Sequence, residues 1–300
     1  VCHAAVTAHA FGVAAEILRK HSKIELSDQQ VRRISEKEGG RLVEERQQEV
    51  KAFQDGKPIA GPEKVADLII VVADGGRIQT RQPADLQQNT EGIRQEDESG
   101  KPRQSMDEAS RQKEKKRGVW KEDRVGAVYE ATPQKDPDAR EAEDYDGAKA
   151  QMKTFVATLS SWEEFGWMLC VEALKRGYAQ AREKLFLSDG ALSLRTLRET
   201  HFSDATFILD WYHAVEHLAD CARAAFGEAT EEHMRWYKRM KTKLWEGDID
   251  SIIRAINMES ARVGKPKPNE PDSSPQVILH RNAGYFTDNR AGMDYPRFRA

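Results

Sequence analysis

The chain is 300 residues long, with 47 Lys and Arg residues against 50 Asp and Glu residues, and its formal net charge is -3. This length is enough to bury a sizeable core and predicts one large domain with a smaller one. The balanced charge excludes a strong global attraction to nucleic acid, so any basic surface is expected to be local.

The cysteines and the opening segment of the chain indicate in which cellular compartment the protein is expected. Cys2, Cys170 and Cys221 are odd in number and far apart, which favours a reducing cytoplasm over a secreted disulfide framework. Residues 1–17 are apolar but lack a basic leader and are too short to span a bilayer, so no targeting or membrane segment is expected. The chain starts at Val1 rather than Met, which indicates a piece of a longer protein.

Residues 1–58 are predicted to form a helical, helix-turn-helix-like region. Ser27 with Gln30 three residues later is a capping-box signature for its second helix, and Gly39-Gly40 is expected to end that helix. One face of the helix carries four residues that can bind base edges and phosphates, namely Gln29, Gln30, Arg32 and Arg33. The solvated face of a small helical bundle is an equally good interpretation of these residues.

The most informative stretch is the apolar run of residues 68–73, which ends in Asp74-Gly75-Gly76. Such a run predicts a strand buried on both faces of a sheet. The glycines that follow allow the backbone to turn closely around a ligand, although an ordinary turn Asp is the simpler interpretation of Asp74 alone. A second short apolar strand also ends in Asp-Gly, at Asp189-Gly190, so the two carboxylates together predict one site.

The chain between these two strands contains a polar segment and two further elements. Residues 82–117 hold scarcely an apolar residue and are expected to form a mobile excursion. Residues 118–130 are predicted to return as a strand antiparallel to the first, because no helical crossover intervenes. From about residue 147 to residue 180 the pattern predicts a helix, with Phe155 and Trp162 on its core face.

Helices and strands alternate after residue 183, which predicts an α/β fold with a mixed sheet and flanking helices. Residues 205–210 form a third short strand that ends in Asp210. Parallel strands would bring Asp74 and Asp189 to the same edge, where open α/β sheets bind ligands. The sheet domain is therefore assigned to residues 59–210, with 82–117 as its excursion.

The region after Asp210 is predicted to be helical through residue 263, as an all-α insertion. Residues 264–300 are assigned as a linker followed by a return to the core. His213, Glu216 and His217 match the H-x-x-E-H pattern of zinc peptidases, so a zinc hydrolase is one alternative. Histidines that hydrogen-bond neighbouring carboxylates are the structural alternative.

Five blocks in this order resemble bacterial insertion-sequence transposases of the Kra type, which are DDE transposases of the Mutator-like group. The blocks are Val-Val-Ala-Asp-Gly-Gly-Arg at 71–77, Trp-Lys-Glu-Asp-Arg-Val-Gly at 120–126, Leu-Ser-Asp-Gly-Ala at 187–191, Ile-Leu-Asp-Trp-Tyr-His-Ala-Val-Glu-His-Leu at 208–218, and residues 285–300, which begin Tyr-Phe-Thr-Asp-Asn-Arg. The resemblance covers most of the chain from about residue 60 onward.

The resemblance implies an RNase H-like core in which Asp74 and Asp189 are the first two metal-binding carboxylates. Asp210 and His213 match the family's D-x-x-H signature as a supporting element, and His213 is expected to face Asp189. Two divalent cations, Mg²⁺ or Mn²⁺, would support phosphodiester cleavage and strand transfer. The implied partners are double-stranded DNA at the transposon ends and target, and further copies of the chain on that DNA, in a nucleoid-associated cytoplasmic location.

The resemblance also implies a third carboxylate soon after the block that ends at Ala300. The fragment is therefore expected to be catalytically incomplete, with an open pocket at Asp74 and Asp189 and an exposed apolar surface around Tyr285 and Phe286. A DNA-binding protein that keeps the fold without catalysis is the other hypothesis.

Overall fold

The computed structural model describes residues 1–8, 10–80, 119–132, 139, 142–145 and 147–299. The chain divides into two compact units, Val1–Gly61 and Pro62–Ala300. The predicted excursion at 82–117 lies outside the described residues.

The first unit is helical and has its own small core. Its helices are α1 (Cys2–Thr7), α2 (Phe11–Ile17), which continues into a π-helical turn over Leu18–Ser22, and α3 (Asp28–Gln54). The buried side chains of this core are those of Ala4, Ala14, Leu18 and Val31. Lys23 adopts a left-handed backbone conformation with φ of 55°, which separates the π-helical turn from α3.

The capping box of α3 is confirmed, whereas its predicted end at Gly39-Gly40 is wrong. The Gln30 backbone N–H donates to Ser27 Oγ at 3.2 Å, and the Ser27 N–H donates to Gln30 Oε1 at 2.9 Å. The helix then runs through both glycines for 27 residues. Two glycines in a helix interior cost about 1 kcal/mol each, and side-chain pairs one turn apart on either side help to offset this. These pairs are Arg32–Glu36, Arg41–Glu38, Arg41–Glu45 and Lys51–Asp55.

The second unit contains the predicted mixed sheet, which has the strand order β3-β2-β1-β4-β5. The strands are β1 (Leu68–Thr80), β2 (Val119–Thr132), β3 (Lys149–Thr158), β4 (Glu183–Ser188) and β5 (Thr206–Leu209). β2 pairs antiparallel with both β1 and β3, while β1 and β5 both pair parallel with β4. The α/β class with flanking helices is therefore established.

The central position of β1 follows from its apolar run. Ile69 and Val71 are fully buried in the main core, whereas Leu68 and Ile70 belong to a second buried cluster with Ala131. Because alternate residues of a strand point to opposite faces, the prediction of a strand buried on both faces is confirmed.

Beyond Gly75, β1 and β2 continue as a two-stranded ribbon, because β2 pairs with β3 only as far as Arg124, which lies opposite Gly75. Gly75 pairs with Arg124, and the pairing continues to Thr80 opposite Val119. The pairing of β1 with β4 ends at Val72 and Leu187. In the described part of the chain, the outer half of β1 is thus paired on one side only.

The helix predicted from residue 147 is wrong at its start, because residues 149–158 form strand β3. Val156 is fully buried in the main core, whereas its neighbour Phe155 is 62% exposed, so the segment follows the two-residue period of a strand. Helix α4 (Trp162–Lys175) begins only after Ser161, whose Oγ accepts the Glu164 N–H at 3.2 Å. This N-cap is the local signal that marks the true start of the helix.

Helix α5 (Leu192–His201) joins α4 on the main core, and a helical layer follows the sheet. This layer comprises α6 (Trp211–Phe226), α7 (Glu231–Trp245), α8 (Ile249–Val263), α9 (Pro275–Asp288), a 3₁₀ turn over Arg290–Met293, and α10 (Tyr295–Arg299). Its core includes Leu209 of β5, so the layer continues from that edge of the sheet.

The expected apolar surface around Tyr285 and Phe286 is not found. Phe286 is fully buried in the core of the helical layer, and Tyr285 is partly buried against the same core. The reason is that α9 packs against α6 and α8, so its apolar side chains are already covered.

Two glycine substitutions should change stability in opposite directions. A Cβ at Gly39 meets nothing within 4 Å, whereas a Cβ at Gly126 would lie 2.8 Å from Leu169 Cδ1 and 3.0 Å from the Val72 carbonyl oxygen. Gly39→Ala should therefore raise the unfolding free energy of the first unit by up to about 1 kcal/mol. Gly126→Ala should lower that of the second unit by about 1–3 kcal/mol.

Urea unfolding separates the two effects. All six tryptophans lie between residues 120 and 245, so tryptophan fluorescence reports the second unit, while far-ultraviolet circular dichroism reports both units. A destabilised Gly39→Ala variant, or a Gly126→Ala variant with the wild-type fluorescence midpoint, would contradict this packing.

Candidate active site at the carboxyl ends of parallel strands

Strand register brings three aspartates to one edge of the sheet. Val72 pairs with Leu187, and Asp74 and Asp189 each follow two residues later. Ser188 pairs with Leu209, and the next residue, Asp210, donates its N–H to the Ser188 carbonyl at 2.8 Å. The three aspartates therefore lie at the same level of neighbouring strands, with Asp74 within β1, Asp189 directly after β4 and Asp210 directly after β5. Neighbouring strands lie about 4.8 Å apart.

The carboxylates of Asp74 and Asp189 are both oriented by the local backbone. Asp74 Oδ1 accepts the Gly75 N–H at 2.7 Å, and Asp189 Oδ1 accepts the Ala191 N–H at 2.8 Å. Neither carboxylate has another hydrogen bond to the part of the chain that the structure describes. Each Asp therefore keeps one oxygen for a ligand, and carboxylate oxygen is the donor that Mg²⁺ and Mn²⁺ prefer.

A cavity of about 270 Å³ opens beside this edge. Asp189 lines it together with Gly75, Gly76, Arg77, Glu122, Trp162, Ala191, Ser193 and Leu194. Asp74 is exposed and immediately precedes the two glycines of the lining. A Cβ at Gly75 would lie 3.0 Å from the Trp162 ring, so glycine allows the strand to pass this side chain closely.

Asp123, on β2 opposite Gly76, was not singled out from the sequence. Its Oδ1 is buried and has no hydrogen-bond partner among the described residues. A Cβ at Gly76 would lie 2.9 Å from this oxygen. The sequence signal that could have identified Asp123 is its position in the block at 120–126, one residue before Arg124. Within the described ranges, no three His, Cys, Asp or Glu side chains are grouped closely enough to hold a metal.

Arg124 lies on the same end of β2 and is nearly buried. Its Nη2 is 2.6 Å from Glu122 Oε2, and its guanidinium lies 5.1 Å from the centre of the Trp162 ring. Because Glu122 and Trp162 both line the cavity, this arginine supports two of its walls and partly compensates the acidic charge at this edge.

Asp210 and His213 act locally at the start of α6. Asp210 Oδ1 accepts the N–H groups of Tyr212 and His213 at 2.8 and 3.1 Å, which makes it the N-cap of the helix. His213 Nδ1 lies 3.7 Å from Glu216 Oε2, and no contact between His213 and Asp189 is found in the described chain. That His213 faces Asp189 or its strand therefore stays a prediction.

The histidine connected to Asp189 is His217, one turn further along α6. Its ring stacks on Tyr285 with centroids 3.7 Å apart, and its Nδ1 is 2.5 Å from Asn282 Oδ1. The Tyr285 hydroxyl donates to the Asp189 carbonyl oxygen at 3.0 Å. These contacts favour the structural interpretation of His217 over a zinc ligand, and sequence reasoning did not identify Tyr285 or Asn282 as part of the site.

The predicted DNA-binding residues lie on the first two turns of α3, in the first unit. Gln29, Gln30, Arg32 and Arg33 are all exposed. Gln30 is engaged in the capping box, and Arg32 pairs with Glu36 at 2.7 Å. Of the four residues, Gln29 and Arg33 are therefore the two whose side chains remain available for contacts with DNA in the described chain.

Comparison with known proteins leaves the family open. No protein-family model matches the chain, and no curated protein matches it. Among the described helices, none combines the length and the apolar character needed to cross a membrane.

Two partly buried histidines, His217 and His201, should make the unfolding free energy depend on pH. Burial lowers the pKa of His217 below its ordinary value of 6.5, and the bond with Asn282 opposes this only in part. The unfolded chain therefore binds a proton at a higher pH than the folded chain. The unfolding free energy should fall as the pH drops below 6.5, by at most about 1.4 kcal/mol per pH unit for this group.

His217→Gln should reduce this slope between about pH 6.5 and pH 5 in urea titrations. Burial also lowers the pKa of His201, so His201→Gln should reduce the slope in the same direction, and the double variant should reduce it further. A wild-type slope in His217→Gln would show that this histidine is not held in its neutral form by the fold.

Proposed function

We propose that this protein is a DDE-type DNA transposase with an RNase H-like catalytic unit, related to the Kra-type insertion-sequence enzymes that its motifs resemble. The observation that carries the proposal is the register of β1 and β4, which puts Asp74, within β1, and Asp189, directly after β4, at one level of adjacent parallel strands. The strand order β3-β2-β1-β4-β5, with three antiparallel strands followed by two parallel ones, supports the RNase H-like assignment.

Metal-dependent phosphodiester chemistry suits this edge of the sheet. Two divalent cations, Mg²⁺ or Mn²⁺, supply activation of the attacking hydroxyl and stabilisation of the leaving oxygen. Asp74 and Asp189 would hold them through the oxygens that their backbone hydrogen bonds leave available. Rigid strand ends and N–H groups that fix both carboxylates keep these ligands in place. The third carboxylate that the resemblance implies would complete the set.

The remaining elements fit contacts to DNA. Arg77 lines the cavity beside Asp189 and can bind a phosphate near the cut. Gln29 and Arg33 on α3 can contact base edges or phosphates of double-stranded DNA. Binding of both transposon ends and the target would involve further copies of the chain, at the nucleoid in the cytoplasm.

A DNA-binding protein that has lost catalysis is the second candidate. The observation that favours it is the absence, within the described residues, of a group of three metal-ligating side chains. It shares the fold and the DNA contacts with the transposase and differs only in the chemistry at Asp74 and Asp189.

The test uses the complete gene product, a supercoiled plasmid that carries the element's end sequences, and Mg²⁺. We expect plasmid cleavage that EDTA abolishes and that Asp74→Asn and Asp189→Asn each reduce by more than about 100-fold, since each removes a charged metal ligand. Asp220→Asn is the matched control, because Asp220 forms a surface ion pair with Arg223 on α6.

Each alternative gives a different result. If the wild-type protein shifts the DNA in a gel without cutting it, the protein is the non-catalytic binder. Cleavage by both Asp→Asn variants at the wild-type rate would refute the proposed site. Stoichiometric zinc in the purified protein would favour the hydrolase that uses His213, Glu216 and His217.

A further inference from the structure

The turn that carries Asp189 is held from outside by helix α9. The Tyr285 hydroxyl donates to the Asp189 carbonyl oxygen at 3.0 Å across 96 residues of sequence. Asn289, which follows the last residue of α9 and is 3% exposed, lies against Gly190. A Cβ at Gly190 would be 2.5 Å from Asn289 Oδ1, and Gly190 has a φ of +80°. The turn therefore depends on glycine and is closed on one side by α9.

Tyr285 is itself fixed in place by two ring contacts, and Asn282 supports one of them. Its ring stacks on His217, which is bonded to Asn282. Asn282 is fully buried, and its Nδ2 donates to the Ile278 carbonyl oxygen at 2.9 Å within α9. The Tyr285 ring also packs edge-on against Phe286, with centroids 5.5 Å apart. A tyrosine held this firmly offers its hydroxyl in one direction only.

A carbonyl oxygen can only accept, so the Tyr285 hydroxyl is the donor of the 3.0 Å bond to Asp189.

The two acidic residues of the site are supported differently. Asp189 is held at both ends, because its carbonyl oxygen accepts the Tyr285 hydroxyl and its carboxylate accepts the Ala191 N–H. Asp74 lies within β1, where pairing with Val125 of β2 fixes its backbone. The position of Asp189 relative to Asp74 thus depends on a helix that is remote in sequence.

We propose that Tyr285 is a positioning residue that holds Asp189 at the distance from Asp74 at which the two carboxylates share a divalent cation. His217 is the stacking support that orients Tyr285. This inference rests on the proposed function for its metal, but the restraint of the Asp189 turn by Tyr285 is a property of the fold that is measured without metal.

The first measurement is hydrogen exchange without metal, at the Ala191 amide that donates to the Asp189 carboxylate. Tyr285→Phe removes the hydroxyl and keeps the ring on His217, so this amide should exchange about 3–10 times faster. Tyr237→Phe is the control. Tyr237 packs against the core of the same helical layer, and its hydroxyl has no hydrogen bond in the described chain. Wild-type exchange at Ala191 in Tyr285→Phe would overturn the positioning role.

The second measurement is Mn²⁺ affinity, followed by the electron paramagnetic resonance signal of free Mn²⁺. Tyr285→Phe should weaken Mn²⁺ binding about 10-fold or more, as the loss of a group that orients a ligand commonly does. A merely structural role would lower the melting temperature and leave the Mn²⁺ affinity unchanged. His217→Leu removes the stacking partner and should shift both readouts in the same direction as Tyr285→Phe.

The outcomes separate the inference from the proposed function. Asp189→Asn should abolish Mn²⁺ binding at this site. If it does so while Tyr285→Phe binds Mn²⁺ within twofold of wild type, the positioning role is wrong and the metal site stands. If Asp74→Asn and Asp189→Asn both leave Mn²⁺ binding unchanged, the metal site fails and the positioning role for a shared cation fails with it. Faster exchange at Ala191 would then still report the restraint of the turn by Tyr285.

Discussion

The parallel pairing of β1 with β4 is the constraint on which the candidate site depends. Five residue pairs, from Leu68 with Glu183 to Val72 with Leu187, fix the register of the two strands. A slip of one residue would move every side chain of β4 to the other face, and would expose Phe186, which is fully buried. The apolar core therefore fixes the level at which Asp74 and Asp189 leave the sheet, and the geometry of the acidic edge follows from hydrophobic packing.

Local patterns were sufficient for the elements with strong signals. The apolar run of β1, the strands that end before Asp189 and Asp210, and the helices after Asp210 follow from composition and period alone. The errors arose where tertiary contacts override a local preference. β3 was read as a helix because Phe155 was taken for a core residue. α3 was ended too early because the ion pair of Arg41 with Glu38, which spans Gly39-Gly40, was not weighed.

The residues of the candidate site also divide into those that local patterns identify and those that depend on tertiary contacts. Asp74 and Asp189 could be selected from the sequence because each ends an apolar strand before glycine. Tyr285 and Asn282 could not, and His217 was considered only as a zinc ligand. Their contacts join residues 65 and 96 positions apart and exist only once α9 has packed on α6. Asp123 was hidden for a related reason, because its place beside Gly76 depends on the antiparallel register of β1 and β2.

The one-sided pairing of the outer half of β1 gives the two walls of the cavity different mechanical properties. The inner half of β1 is bonded to strands on both sides, whereas from Gly75 to Thr80 the described chain pairs it with β2 alone. Two-stranded ribbons twist more readily than the interior of a sheet. The pairing of β2 with β3 ends opposite Gly75, so the change from stiff sheet to compliant ribbon falls between Gly75 and Gly76. Gly76 and Arg77 can therefore shift while the acidic edge keeps its shape.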